Sequence, residues 1–388
     1  MLSVKSLTPD QQAAITHLIE HDSTLMVAAT GVGKTVICLT AIKELIEMCH
    51  VRKVIVACPA KVLENLVWPN DAAKWKHLRD IRVLQLQGTA QNRIKQLLSC
   101  EAEIIVVSLN NLDWLLMQDH ECDGIIIDEL SKAAGKQAKK LKSKKFGAML
   151  KWRCGMTATP VSQDFFKLYP MCRILDGGVA LGTNKQKFLE KYFYSDYMGY
   201  NWSLRDGADA QILKKVASLV HLVKDNKAET LPPLHEKLLR FDMPADTRDV
   251  YNEMKKHMVA GDVEAANEAV KSGKLRQIAS GFMYQDDENA VRSATILDYA
   301  RHDAYCEWAA NLNHRPGLVF YEFVLQGVWN DLAPSNISFA QINSMSHGVD
   351  GLQHEFADVL FLMPCWSRDS HEQAIGRVWR QGQTKPVN

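Results

Sequence analysis

Residues 25–35, LMVAATGVGKT, carry the side chains and spacing that can hold a triphosphate. A short apolar strand (Leu25, Met26, Val27) runs into a tight loop made of Thr30, Gly31, Val32 and Gly33. Lys34 and Thr35 then open a helix with apolar positions at Val36, Ile37, Leu39, Ile42, Leu45 and Ile46. Loop N–H groups and a helix N-terminus attract phosphate. Lys34 adds a point charge for the β- and γ-phosphates, and the Thr35 hydroxyl can ligate Mg²⁺. Gly31 and Gly33 let the backbone come close to the anion. Ala28 stands where the GxxxxGK[ST] pattern has its first glycine. Asp128 and Glu129 follow the isoleucines at 125–127. A carboxylate at the end of a buried strand can hold Mg²⁺ through its water shell. The adjacent Glu129 can polarise the water that attacks the γ-phosphate. Gln11, ahead of the loop, can read an adenine edge with its paired donor and acceptor, or simply cover a helix surface.

Several elements must position these groups. Thr8 and Pro9 suit the start of a helix whose buried stripe is Ala13, Ala14, Ile15, Leu18 and Ile19. Apolar strands are expected at residues 53–59, 81–86, 104–109, 125–129 and 152–156, with a helix over residues 60–75. Strands that are apolar throughout and alternate with helical stretches imply an α/β fold whose parallel sheet is covered on both faces. Ligands on such sheets bind at the carboxyl ends of strands, where Lys34, Asp128 and Glu129 all fall. Thr157 and Thr159 lie at another strand end and can couple a nucleotide site to a neighbouring surface.

The 388 residues allow two domains with cores of their own. A formal net charge of +1 excludes a global basic field, so a polyanion must be held by local patches. The basic stretch 132–145 is one such patch or a solvated loop. Nine cysteines occur without a CxxC pair, which argues for reduced thiols and against a zinc knuckle. No apolar run is long enough to span a bilayer.

Residues 165–233 read as aromatic-rich and irregular, an insertion packed on the first domain more readily than a base-stacking surface. Residues 235–258 read as a strand, a turn at 243–245 and a helix. Further helices are expected around 263–272 and 294–311. Strands are expected at 317–321, 337–343 and 357–363. His347 is a polar contact without metal-ligand spacing around it.

GVGKT, DELS and TATP, in this order, resemble the first motor domain of superfamily-two helicases. Residues 373–387, QAIGRVWRQGQTKPV, are similar to the last motif of Swi/Snf-type ATPases, and together with KLRQIASGF (274–282) look most like those of bacteriophages and prophages. The resemblance implies two tandem RecA-like domains, each a mostly parallel sheet covered by helices, with the nucleotide site in the cleft. It divides the chain at 1–230 and 231–388, with an accessory insertion at about 162–230 and a shortened second domain. It implies ATP and Mg²⁺ as cofactors. Lys34, Asp128, Glu129, Arg377 and Arg380 take catalytic roles, and Thr35 and Asp128 hold Mg²⁺ through water. Gln11, Thr30, Gly31, Val32, Gly33, Lys34, Thr35 and Gln373 contact the nucleotide. The residues around 344–353 resemble a motif that links ATP and DNA contacts, and 364–367 are similar to the family's D-x-x-W turn. The activity implied is ATP-dependent translocation on double-stranded DNA by a monomer without a membrane partner, in the cytoplasm (of the host, if phage-encoded). A single-strand DNA or RNA helicase and a non-catalytic nucleic-acid-binding protein on the same fold are the alternatives.

Overall fold

The computed structural model describes residues 2–99, 101–133, 141, 149–158, 165–197, 201–224, 231–261, 263–286, 292–342 and 351–388. The chain forms two compact units, Met1–Asn226 and Lys227–Asn388.

The first unit is built on strands β1 (Ser23–Ala28), β2 (Val54–Cys58), β3 (Val83–Gln85), β4 (Ile104–Ser108), β5 (Gly124–Ile127), β6 (Trp152–Thr157) and β9 (Val220–Val223), in the order β3-β4-β2-β5-β6-β1-β9. The ladders between them are parallel. Alternate residues of these apolar strands enter two separate cores. Leu25, Val27, Ile55, Ile105 and Ile127 face one, while Met26, Val56, Val106, Ile126 and Cys154 face the other. A period of two with both faces apolar needs a helical layer on each side. Helix α1 (Pro9–Glu20) and helix α2 (Lys34–Glu47) cover the second face.

Three expectations are corrected here. Ala13 is exposed; the stripe of α1 that enters the core is Ala14, Ile15 and Leu18. The helix over 60–75 is two helices, Ala60–Glu64 and Val67–Lys74, broken by Leu66 at φ 53°. Pro69 is thereby confined to the first turn of the second helix, where its missing N–H costs nothing. Most of the described residues between 165 and 223 lie in regular elements rather than irregular chain. They form helices Phe165–Leu175, Lys185–Tyr192 and Ala208–Val216, the hairpin of β7 (Phe193–Ser195) and β8 (Trp202–Leu204), and strand β9. Phe188, Tyr192 and Phe193 are buried in the first core, whereas Tyr194 and Tyr197 are exposed. The basic stretch and the residues Thr159 and Pro160 lie largely outside the described residues.

The second unit holds two hairpins, β10 (Val259–Ala260) with β11 (Val263–Glu264) and β12 (Phe282–Asp286) with β13 (Arg292–Ile296). A parallel sheet follows, ordered β15 (Ile337–Gln341), β14 (Gly317–Tyr321), β16 (Asp358–Phe361). The expected helix near 263 starts at Glu268, because β11 pairs with β10 and the Asn267 side chain caps Ala269 and Val270. The expected helix from 294 starts at Ala300, because residues 292–296 complete a hairpin. The expected strand after residue 234 is absent from the ladders; Leu234 makes an isolated bridge to Val387. His347 and most of the 344–353 motif lie outside the described residues.

Candidate nucleotide site

Three neighbouring strands, β5, β6 and β1, end on one edge of the first sheet and place the predicted groups together. β1 delivers the phosphate loop. Gly31 and Gly33 take φ of 85° and 86°, a left-handed backbone that favours glycine. A Cβ on Gly33 would stand 2.6 Å from the Gln11 amide nitrogen. That close approach lets Gln11 hold the loop, since its Nε2 donates to the Val32 carbonyl at 2.9 Å. Its Oε1 accepts from the Thr8 N–H at 2.9 Å, and Thr8 Oγ1 accepts in turn from the Gln11 N–H, a reciprocal cap at the start of α1. Both ends of the amide assigned to an adenine edge are therefore bonded within the protein.

Lys34 and Thr35 form the first turn of α2. Lys34 Nζ donates to the Ala28 carbonyl at 3.0 Å, so its charge is held across the loop. Thr30, Gly31, Val32, Gly33 and Thr35 are half-buried around it.

β5 delivers the carboxylates. Asp128 N–H donates to the Ala57 carbonyl at 2.8 Å, continuing the ladder one residue past the strand. Glu129 then turns at φ 65°, a costly conformation for a non-glycine residue. Its carboxylate is fixed from two sides: Ser131 Oγ donates to Oε1 at 2.6 Å and Thr157 Oγ1 donates to the same oxygen at 3.3 Å. Leu130 follows at once and packs where a Cβ on Gly155 would be, 2.3 Å from its Cδ2, so Gly155 of β6 admits the turn. Ser131 was not singled out in the sequence. Its signal was its place as the last residue of the DELS stretch, to which no role of its own was given.

The charges act on their surroundings. Burial pushes the Cys58 thiol up, and Asp128 adds to it. Cys38, on α2, is raised by burial, then by Cys154 and Asp128, with Lys34 opposing. Asp128 and Lys34 thus both act on one buried thiol. Burial lowers the Lys132 ammonium, against the pull of Glu129 and Asp128. The donor set suits Mg²⁺: a threonine hydroxyl and a carboxylate at a strand end are hard oxygen ligands beside a phosphate loop.

Gln373, Arg377 and Arg380 belong to the second unit and are half-buried. Gln373 lies on helix Arg368–Ile375, capped by Ser367. The arginines sit in the turns that follow, pinned by the buried Ala374 and Val378. Gln383 fixes those turns, donating to the Phe356 carbonyl at 2.9 Å and accepting from the N–H groups of Thr384 and Lys385 at 3.0 Å. Trp379 Nε1 donates to the Pro232 carbonyl at 2.8 Å. Gln383 and Trp379 are supports that sequence reasoning did not assign.

Among known proteins, the chain is 26% identical over 431 aligned residues to "Putative protein p41" of Acyrthosiphon pisum secondary endosymbiont phage 1, covering 99% of this chain and 92% of that one. It is 23% identical over 450 residues to the DNA repair and recombination protein RAD54-like of Drosophila yakuba, covering 93% of this chain and 56% of the relative. The fold is that of a Sulfolobus solfataricus SWI2/SNF2 ATPase core solved in complex with dsDNA, at a TM-score of 0.50 and 18% identity, over 98% of this chain and 86% of that one. Among the described residues no helix is long and apolar enough to cross a membrane. The SNF2-related domain matches residues 11–292, a span that takes in the phosphate loop, the Asp128–Glu129 turn and the first part of the second unit. The chain belongs to the SNF2-related family.

Proposed function

We propose that this protein hydrolyses ATP and uses the cycle to move along double-stranded DNA without separating its strands. The observation that carries the reading is the fixed Glu129 carboxylate at a strand end beside a phosphate loop, held by Ser131 and Thr157. A carboxylate oriented in this way, on strained backbone, is poised to align a water for in-line attack. The loop N–H groups and Lys34 would bind the phosphates, and Thr35 and Asp128 would hold Mg²⁺, which when bound would supply charge neutralisation at the phosphates. Arg377 and Arg380 supply guanidinium charge to the γ-phosphate during turnover, where an always-charged planar group stabilises the transition state. Gln373 adds a nucleotide contact. Duplex DNA as the track is supported by two relatives, a SWI2/SNF2 ATPase core described with dsDNA and a DNA repair and recombination protein.

Displacement of a labelled third strand from a triplex tests the reading. Removal of the third strand with ATP, lost in Glu129→Gln, is the expected outcome. Unwinding of a forked duplex with no triplex displacement assigns a helicase instead. Binding of DNA without ATP turnover assigns a non-catalytic role.

A further inference from the structure

The hairpin of β7 and β8 turns one face inward and the other outward. In its antiparallel ladder Phe193 pairs with Leu204 and Ser195 with Trp202, and between them Tyr194 pairs with Ser203. Phe193, Leu204 and Trp202 pack on the first core, where the rings of Phe193 and Phe166 have centroids 4.3 Å apart. Side chains alternate along a strand, so Tyr194 and Ser203 face out. Tyr194 is 57% exposed, and Tyr197, at the turn beyond β7, is wholly exposed. The inner face thus anchors the hairpin on the core, while the outer side carries two tyrosines.

Tyr194 rests on a fixed cation. The Arg205 guanidinium lies over its ring, 4.3 Å from the centroid. Arg205 is itself held in place: Nε donates to the Phe193 carbonyl at 2.9 Å, and Nη2 donates to the Glu190 carbonyl at 3.0 Å. One face of the Tyr194 ring is therefore backed by positive charge, and the rest of the ring meets solvent. Lys191 Nζ lies 5.2 Å from the Tyr192 ring, a second cation beside the start of the hairpin. The neighbouring carboxylates are engaged with amides. Gln186 Nε2 donates to Glu190 Oε1 at 2.9 Å, and Asn201 Nδ2 donates to Asp196 Oδ2 at 2.7 Å. In a chain of net charge +1, local cations of this kind are what can hold a polyanion.

We propose that this outer face binds single-stranded nucleic acid, with unpaired bases stacking on Tyr194 and Tyr197 and with Arg205 and Lys191 set against the phosphates. Each base offers a flat π-face and each linkage a negative charge, so rings interleaved with cations match both parts of the strand. A base inside a duplex has both faces covered by its neighbours, so an open ring selects an unpaired strand. An apolar peptide would use the rings and gain nothing from the cations. The inference adds a single-strand contact to a chain read as tracking duplex DNA, and it rests neither on ATP turnover nor on that track.

The test is fluorescence anisotropy of labelled oligothymidylate and oligouridylate of about 15 nucleotides, a length within the usual single-strand site size. A blunt DNA duplex of the same length is the comparison, and the full chain is titrated without nucleotide. Saturable binding of a single strand is expected, and the tighter of the two identifies DNA or RNA as the partner. Tyr194→Ala and Tyr197→Ala are each expected to weaken it roughly tenfold, the scale of one lost base stack. Tyr194→Phe, which keeps the ring, is expected to bind as wild type does. Duplex binding is expected to be unchanged in all three variants, which separates a lost stack from a misfolded chain. Absence of single-strand binding overturns the proposal, as does binding that neither alanine variant moves. An equal loss on the duplex overturns it too and assigns the tyrosines to the duplex track.

Discussion

Gln11→Ala separates two roles for one side chain. The structure gives Gln11 an amide hydrogen bond to the Thr8 N–H and another to the Val32 carbonyl, each 2.9 Å. Each such bond contributes about 0.5–1.5 kcal/mol net, so their loss costs roughly 2 kcal/mol. For a unit of about this size, a shift of roughly 2–4 °C per kcal/mol lowers the melting temperature by about 4–8 °C. The Val32 bond is the one that restrains the phosphate loop. Its loss, about 1 kcal/mol, weakens nucleotide binding about fivefold. Because the tether acts on the phosphates, non-hydrolysable ATP and GTP analogues weaken by the same factor. Gln11→Glu keeps an acceptor for the Thr8 N–H but has no donor for Val32. It therefore recovers part of the stability and none of the nucleotide affinity. The assays are thermal unfolding and calorimetric titration with both analogues. An unchanged melting temperature together with a loss confined to the adenine nucleotide would refute the tether and assign the side chain to the base.

Thr157→Val removes one of the two hydroxyls on Glu129. ATP turnover is expected to fall about tenfold, with nucleotide affinity unchanged, since one hydrogen bond to a charged group is worth about 1.5 kcal/mol or more; a rate within twofold of wild type sinks the positioning role. Arg377→Ala is expected to leave analogue binding nearly intact and to cost roughly 10³-fold in single-turnover hydrolysis, the scale of an arginine finger, whereas a loss under tenfold contradicts that role. The stacked imidazoles of His17, His21 and His221, with ring centroids 3.9 and 4.4 Å apart, predict an acid-sensitive fold. Burial first, then His21 and His221, lowers the His17 pKa from 6.5 to about 4. The unfolded chain therefore takes up a proton before the folded one, and stability is full above pH 6.5 and falls as pH drops toward 4. Solvent screening of the half-exposed ring reduces the effect to roughly 1 kcal/mol. His17→Gln is expected to flatten the melting temperature over this window, and an unaltered slope counts against the cluster.

The strands that carry the site were legible because they are apolar on both faces: residues 54–58, 104–108 and 124–127 can only be central parallel strands. Lys34, Asp128 and Thr157 then fall at strand ends by topology alone. Where tertiary pairing decides, the sequence misleads. Residues 294–296 have helix-compatible composition but pair with β12, and β9 joins the sheet beside β1 through the register Leu25 to Val220, which no local pattern announces. The internal bonding of Gln11 was also hidden, since it depends on Gly33 lying against a helix whose docking only the folded chain defines. Leu66 broke a helix that the periodicity carried straight through, because a left-handed residue leaves no compositional mark when it is not glycine.

Steady-state ATP hydrolysis by the full chain, alone and with duplex DNA, single-stranded DNA or RNA, tests the central claim most directly, with Lys34→Ala as the blank. Turnover absent from Lys34→Ala and stimulated most strongly by duplex DNA is the predicted result. Turnover stimulated only by single strands, or none under any condition, would contradict it.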